Sequence, residues 1–240
     1  MNANPDWAKP EYHAFIRRDI APLLPARAED VLDVGCSQGG TLAWLQGSGV
    51  AGRTTGIEID PAAARIARGR VDRLIEGDVD AALGTLDSAS FDLVLCLDVL
   101  EHLVDPWRTA ARLGRMIRPG GTLIVSVPNV RHHSVALPLL WSGRWQYEDE
   151  GILDRTHLRF FTRTGAAALL TGAGLEPAGR VDKGMEVTRR RELWKPLLAR
   201  TRWRDLGVFQ FVISGRKPVA AAAATAPARA AAPLVLEAAR

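Results

Sequence analysis

Val31-Leu32-Asp33-Val34-Gly35-Cys36-Ser37-Gln38-Gly39-Gly40 decides the fold. Val31 to Val34 is short and largely apolar, the composition of a strand buried on both faces of a parallel sheet. It runs into a glycine-rich turn, and a helix is expected around residues 40–47. Glycine in such a turn lets backbone approach a ligand closely. In open α/β sheets, ligands bind beyond the carboxyl ends of the strands.

The same alternation extends outward. Thr54 to Ile59 reads as a second strand, and Asp60-Pro61 as a helix start, with Asp60 capping and Pro61 in the first turn of a helix over 61–69. Arg73 to Asp78 reads as a weaker third strand and Phe91 to Leu97 as a fourth. Asp105-Pro106 starts a helix running to about Ile117. Pro119-Gly120-Gly121 is a turn, and Thr122 to Val127 a fifth strand. Strands alternating with helices predict a doubly wound α/β fold. A carboxylate at the end of the second strand, Glu58, suits both hydroxyls of a ribose. Asp78, ending the third, suits an adenine amino group.

Four regions are expected. Residues 1–28 are a helical lead-in, with an amphipathic helix over 7–24 ended by Pro22 and Pro25. Residues 29–128 are the cofactor-binding half. Residues 129–215 cover the substrate and supply the last strands: a helix at 163–172, a strand near 175–181 and a final strand over 206–214. Residues 216–240 are an Ala/Pro-rich tail with little large apolar surface to bury, expected to be disordered.

A chain of 240 residues, 47% hydrophobic and 24% charged, suits one soluble globular domain. No apolar run approaches the roughly 18 residues a membrane-spanning helix needs. The N-terminus lacks a secretory pattern. Cys36 and Cys96 make no disulfide framework or metal spacing, so the cytoplasm is the expected compartment. The net charge of +4 is mild, and no nucleic-acid partner is expected. The excess gathers at 189–204, where Arg189, Arg190, Arg191, Lys195, Arg200, Arg202 and Arg204 lie near Trp194 and Trp203. That segment is the candidate for peripheral membrane contact or an anionic acceptor; the alternative is a solvated helical face. Oligomeric state is left open.

These motifs, in this order across residues 29–128, resemble the class I S-adenosylmethionine-dependent methyltransferases. Val31 to Gly39 resembles that family's first motif, Gly56-Ile57-Glu58-Ile59-Asp60 its ribose-binding acidic motif, and Gly77-Asp78-Val79 its adenine-binding turn. Phe91 to Val94 with Asp98-Val99-Leu100-Glu101-His102-Leu103 resembles the fourth strand and its loop. Arg118-Pro119-Gly120-Gly121 resembles the turn before the fifth. The resemblance implies a mostly parallel seven-stranded sheet with an antiparallel last strand. It also implies S-adenosyl-L-methionine as cofactor, in a site lined by Asp33, Gly35, Cys36, Ser37, Gly39, Glu58, Ile59, Asp78, Val79, Leu97 and Asp98. Ser37 stands where the family commonly has glycine. Arg18-Asp19-Ile20 and Gly151 to Thr162 resemble a bacterial subgroup often found with glycosyltransferases and cell-surface polysaccharide synthesis. A small-molecule or glycan- or lipid-linked acceptor follows from that company.

Gly35-Cys36-Ser37-Gln38-Gly39 also fits the Gly-x-Ser-x-Gly nucleophile elbow. Such an enzyme needs upstream strands for its oxyanion hole, and this motif sits on the first. A nicotinamide-dependent oxidoreductase prefers Gly-x-Gly-x-x-Gly, which the turn lacks. A non-catalytic module on the same fold is the remaining alternative.

Methyl transfer to a hydroxyl needs a base, because the acceptor's proton must leave. His102 and His157 are the candidates, followed by His132 and His133; Asp154 is placed to orient His157. Asp98-x-x-Glu101-His102 approaches the Glu-x-x-Glu-His pattern with which some related quinone O-methyltransferases hold a divalent ion. Loop fixation is the expected role here, and no metal is counted in the site. Trp141, Trp145 and Tyr147 are placed either to stack on a sugar or isoprenoid or to pack a lid.

Overall fold

The computed structural model describes residues 15–185, 195–198 and 200–219. Its strands are β1 (Ala28–Val34), β2 (Ala51–Glu58), β3 (Arg73–Glu76), β4 (Phe91–Leu97), β5 (Ile117–Pro128), β6 (Glu176–Lys183) and β7 (Gln210–Arg216). They form one sheet in the order β3-β2-β1-β4-β5-β7-β6. β1 to β5 pair in parallel, whereas β7 runs antiparallel to both β5 and β6. This is the expected doubly wound α/β sheet. The order reverses at β1, and that crevice is where such sheets bind ligands.

Alternate residues of the central strands feed two cores. Leu32, Val34, Val94, Cys96, Leu123 and Val125 face one side. There they meet helix α4 (Pro106–Met116) through Ala110 and Leu113, and helix α6 (Arg163–Gly172) through Ala166 and Leu169. Val31, Leu93, Leu95 and Ile124 face the other, against Leu42 and Leu45 of α1 (Gly40–Gly47) and Ala67 of α2 (Pro61–Ala67). Each such Leu or Val, fully withdrawn from water, contributes roughly 1.5–3 kcal/mol. Burying the sheet on both faces therefore fixes its register.

Local signals placed several elements as expected. Asp60 caps α2 by accepting from the Ala63 N–H at 2.7 Å, and Asp105 caps α4 through Arg108 at 3.0 Å. Other elements differ. Residues 18–23 are a 3-10 helix with Pro22 inside it rather than the end of an α-helix. The Arg17 N–H there donates to Thr41 Oγ1 at 3.1 Å instead of extending a helix. Residues 7–14 of the expected lead-in helix lie outside the described residues. Pro119-Gly120-Gly121 is an irregularity inside β5 rather than a separate turn: Phe91 pairs with Ile117 and Leu93 already with Thr122. Proline has no N–H for the ladder, and Gly120 turns back to bond Lys217 O at 2.9 Å. The final strand starts at Gln210 because Arg204–Gly207 forms a 3-10 turn. Two helices were not foreseen, α3 (Val79–Leu83) and α5 (His133–Ser142). Lys217 bonds Gly114 O near the end of α4 and Ile117 O at the start of β5, at 2.9 and 2.8 Å; residues 220–240 of the expected tail lie outside the described residues. No helix among the described residues is long and apolar enough to cross a membrane.

Candidate functional site

The site lies where β1, β2 and β4 end side by side. Gly35 (φ +72°) and Gly39 (φ +74°) both adopt the left-handed conformation that favours glycine. A Cβ on Gly35 would stand 2.6 Å from Val99 Cγ2. Ser37 takes the same conformation with a side chain (φ +54°). Such strain costs about 1–2 kcal/mol and is offset locally. Its N–H donates to Glu58 Oε2 at 2.7 Å. The Asp60 N–H donates to Oε1 at 2.8 Å. Glu58 is therefore fixed at the mouth of the crevice. Each of its oxygens keeps a further lone pair for a hydroxyl, which fits a ribose.

Asp33, one turn of strand below, is 3% exposed. Burial, reinforced by the charge of Glu58 and opposed by that of Arg17, pushes its carboxyl up to about 8. A pocket with this carboxyl and Glu58 suits a cationic ligand. Burial also works against the Arg17 charge, but the carboxylates of Asp98 and Asp19 prevail and raise its pKa. The Arg17 guanidinium donates to Asp98, to both oxygens of Asp19 at 2.9 Å and to Ser126 Oγ at 3.2 Å. Asp98 has a left-handed backbone (φ +58°). Its Oδ1 accepts from Ser126 Oγ at 2.8 Å and from the Gln210 amide. Sequence reasoning named Asp98 but missed Arg17, Ser126 and Gln210. A polar Gln210 inside the apolar run Val208 to Ile213 was the available signal.

Past β4, a 3-10 turn (Leu100–His102) carries Glu101 and His102 inward. The Glu101 carbonyl accepts from the N–H groups of Leu158 and Arg159 at 2.8 and 3.0 Å, docking the 151–162 segment here. His102 and His157 thereby meet edge to face, with ring centroids 4.8 Å apart. His157 Nδ1 lies 3.0 Å from Ile152 O. His102 Nδ1 lies 3.3 Å from Thr156 O and 3.1 Å from Thr156 Oγ1. That hydroxyl already donates to Asp154 Oδ1 at 2.6 Å. All neighbours of both Nδ1 atoms therefore accept. This assigns the proton to Nδ1 and a lone pair to Nε2 in each neutral ring. Burial, followed by the His157 charge, lowers the pKa of His102. Burial, followed by Asp98, raises that of Glu101 well above the carboxylate range. Asp154 thus acts on His102 through Thr156, rather than on His157 as its spacing suggested.

The remaining named residues are distributed as follows. Asp78 caps α3, accepting from Asp80 and Ala81 at 2.8 and 3.3 Å. Val79 and Leu97 are buried and Ile59 is exposed. The N–H groups of Gly35 and Cys36 share Ile57 O, and burial pushes the Cys36 thiol up, keeping it neutral. His132 and His133 pair with each other at 4.1 Å. His132 caps α5, and His133 Nδ1 bonds Leu206 O at 3.0 Å. Trp145 and Tyr147 lean on Phe160, whereas Trp141 on α5 is 89% exposed. Of the basic segment, Arg189 to Trp194 lie outside the described residues. Leu197 and Trp203 are exposed, with Arg202 over the Trp203 ring.

A family model described as a methyltransferase domain matches residues 9–178. The chain is 32% identical over 193 residues to a trans-aconitate 2-methyltransferase from Deinococcus radiodurans, covering 73% of this chain and 70% of that protein. It is 36% identical over 121 residues to a ubiquinone biosynthesis O-methyltransferase from Alkalilimnicola ehrlichii, and there the match spans only 46% of either protein. Among solved structures, a SAM-dependent methyltransferase from Thermotoga maritima superposes with a TM-score of 0.58 at 20% identity, over 82% of this chain and 85% of that one. The 1,6-didemethyltoxoflavin-N1-methyltransferase of Burkholderia thailandensis, solved with its substrate and S-adenosylhomocysteine, gives 0.55 at 20% identity, over 84% and 77%. At those identities the structural likeness speaks for the fold.

Proposed function

The chain belongs to the methyltransferase domain family, as an S-adenosylmethionine-dependent enzyme of class I, and from that membership we propose that it O-methylates a hydroxyl-bearing acceptor with the proton taken by the His102–His157 pair. The observation that supports this reading is the pair itself. Two imidazoles, edge to face and each with Nδ1 set against a fixed acceptor, leave Nε2 as the atom that can take a proton.

S-adenosylmethionine supplies an electrophilic methyl group on a sulfonium. In this reading Glu58 takes the ribose hydroxyls and the turn of Gly35, Cys36, Ser37 and Gly39 passes close to the adenosyl group. Asp78, Val79 and Ile59 flank the adenine; Asp33, Leu97 and Asp98 flank the methionine part. The acceptor oxygen attacks in line, the carbon–sulfur bond breaks, and its electron pair stays on sulfur as a neutral thioether. The hydroxyl proton passes to an Nε2. Alignment and exclusion of water do most of the work, and general-base help adds about 10²–10⁴-fold.

The acceptor is a small molecule or a glycan- or lipid-linked one. Exposed Trp141 on α5, with Leu197 and Trp203 in the basic segment, supports a lipid-linked acceptor met at a membrane surface. The two cysteines are buried and free, in keeping with a cytoplasmic setting.

The test supplies purified protein with methyl-labelled S-adenosylmethionine and extracts of small metabolites and glycolipids, and reads the labelled product by NMR. An O-methyl product is expected, with His102→Ala and His157→Ala each losing at least about tenfold in kcat. Near-normal turnover in both variants, or a label on nitrogen or carbon, overturns the reading.

A further inference from the structure

Among the described residues, one buried side-chain polar atom meets no partner: Glu101 Oε2, on a residue 1% exposed. Leaving such an atom unmet is costly, and it calls for a missing group. A carboxylate oxygen of Glu101 and one ring nitrogen each of His102 and His157 lie within 4.8 Å of one another. No other trio of His, Cys, Asp or Glu among the described residues gathers this way. Both imidazoles are locked as Nδ1–H tautomers, so what each can offer inward is a lone pair.

We propose that Glu101, His102 and His157 form a binding site for a divalent transition-metal ion of the zinc or cobalt kind. Two imidazoles and a carboxylate favour such ions over magnesium or calcium, which prefer all-oxygen cages. Metal-bound imidazoles characteristically donate their other N–H to a carbonyl or a held oxygen, and Ile152 O and Thr156 stand ready for that. Ligand atoms around a tetrahedral zinc-like ion stand about 3.3 Å apart, so the trio, spread over up to 4.8 Å, closes by at most about 1.5 Å on binding. Three protein ligands leave a position open for an acceptor oxygen.

This departs from the sequence expectation of no metal, and from the Asp98-led pattern. Asp98 is taken by Arg17, Ser126 and Gln210. His157 comes from another segment, which the docking of Leu158 and Arg159 on Glu101 O brings into place. The proposal does not rest on O-methylation: an ion and a proton would compete for the same lone pairs, and uptake is read without turnover.

The experiment titrates Co²⁺, then Zn²⁺, into chelator-stripped, tag-free protein, followed by calorimetry and visible absorption. One ion per chain is expected, with a cobalt ligand-field band and a raised Tm. Glu101→Gln and His157→Ala should abolish the band while still binding S-adenosylmethionine, which shows that they fold. Thr156→Val, which alters only an outer partner, should weaken uptake about tenfold. Should Glu101→Gln fail to bind cofactor, His157→Ala decides alone. No uptake by the parent protein at large molar excess, or equal uptake by a folded ligand variant, overturns the site. Either result leaves the product assay above standing, and failure of that assay leaves this titration standing.

Discussion

Arg17 donates to the carboxylate of Asp98 across 81 positions of sequence, tying the segment before β1 to the loop after β4. Both partners are largely withdrawn from water. Removing one member of such a pair strands the other, at about 3–5 kcal/mol. Arg17→Met is therefore expected to lower the unfolding free energy by about 3 kcal/mol in urea titrations. It should also weaken S-adenosylmethionine binding, since Asp98 Oδ2 loses its guanidinium donor and is held only through Oδ1 by Ser126 and Gln210. A variant as stable as the parent would mean that the pair carries no such weight.

Asp33 makes cofactor affinity depend on pH. In the free protein its carboxyl titrates at about 8, so it is mostly neutral at pH 6 and mostly charged at pH 9. A cation bound nearby favours the charged form. Affinity for S-adenosylmethionine should thus rise as pH climbs through that range, and Asp33→Asn should flatten the curve, read by calorimetry. The stability sign is opposite. A folded-state pKa raised above the usual 3.8 means stability fully present at low pH and lost as pH rises through about 8.

Gly35→Ala places a methyl group 2.6 Å from Val99 Cγ2 at a φ of +72°. Strain of about 1–2 kcal/mol is expected, together with at least tenfold weaker cofactor binding as the turn shifts. Thermal unfolding and calorimetry measure the two separately. Gly49→Ala also suffers a positive φ but meets nothing within 4 Å, so it should lose stability and keep its affinity.

Thr156→Val removes the hydroxyl that links Asp154 to His102. We expect kcat to fall while KM for the cofactor stays put. The acidic limb of the pH–rate profile, placed below the ordinary histidine value of 6.5 by burial and by His157, should shift. An unchanged profile would detach Thr156 from the base.

Arg163 lies between Asp182 of β6 and Asp205, at 2.9 and 2.7 Å, over the Phe211 ring. Both carboxylates are nearly enclosed. Arg163→Ala is expected to cost about 3 kcal/mol by chemical denaturation, beyond the 0–1 kcal/mol of a surface pair.

What the sequence disclosed followed the range of its signals. Asp60-Pro61 and Asp105-Pro106 start helices through contacts with residues a turn away, so they read correctly. β4 is apolar apart from Asp92, with Ser90 and Asp98 as polar breaks at its two ends, and its bounds came out right. Helix α5 escaped notice because Pro138 interrupts it and Leu137, Leu140 and Trp141 face outward, leaving no buried stripe to count. Leu206-Gly207 continues the apolar composition of β7, yet Asn129 Nδ2 bonds Asp205 O and Val208 O at 2.7 Å and holds a turn there. In the site, Glu58 and the glycine turn are neighbours across adjacent strands, which an α/β pattern predicts. The meeting of Glu101 with His157, and of Arg17 and Gln210 with Asp98, depends on where loops land. No periodicity encodes that.

The insertion of β7 between β5 and β6 has a consequence for biogenesis. As the chain leaves the ribosome, β6 emerges before the strand that must separate it from β5, so both wait with open edges until residues 210–216 arrive. Such edges invite pairing with the wrong neighbour. A nascent chain stalled at residue 209 should therefore be captured by chaperones far more readily than one released at full length.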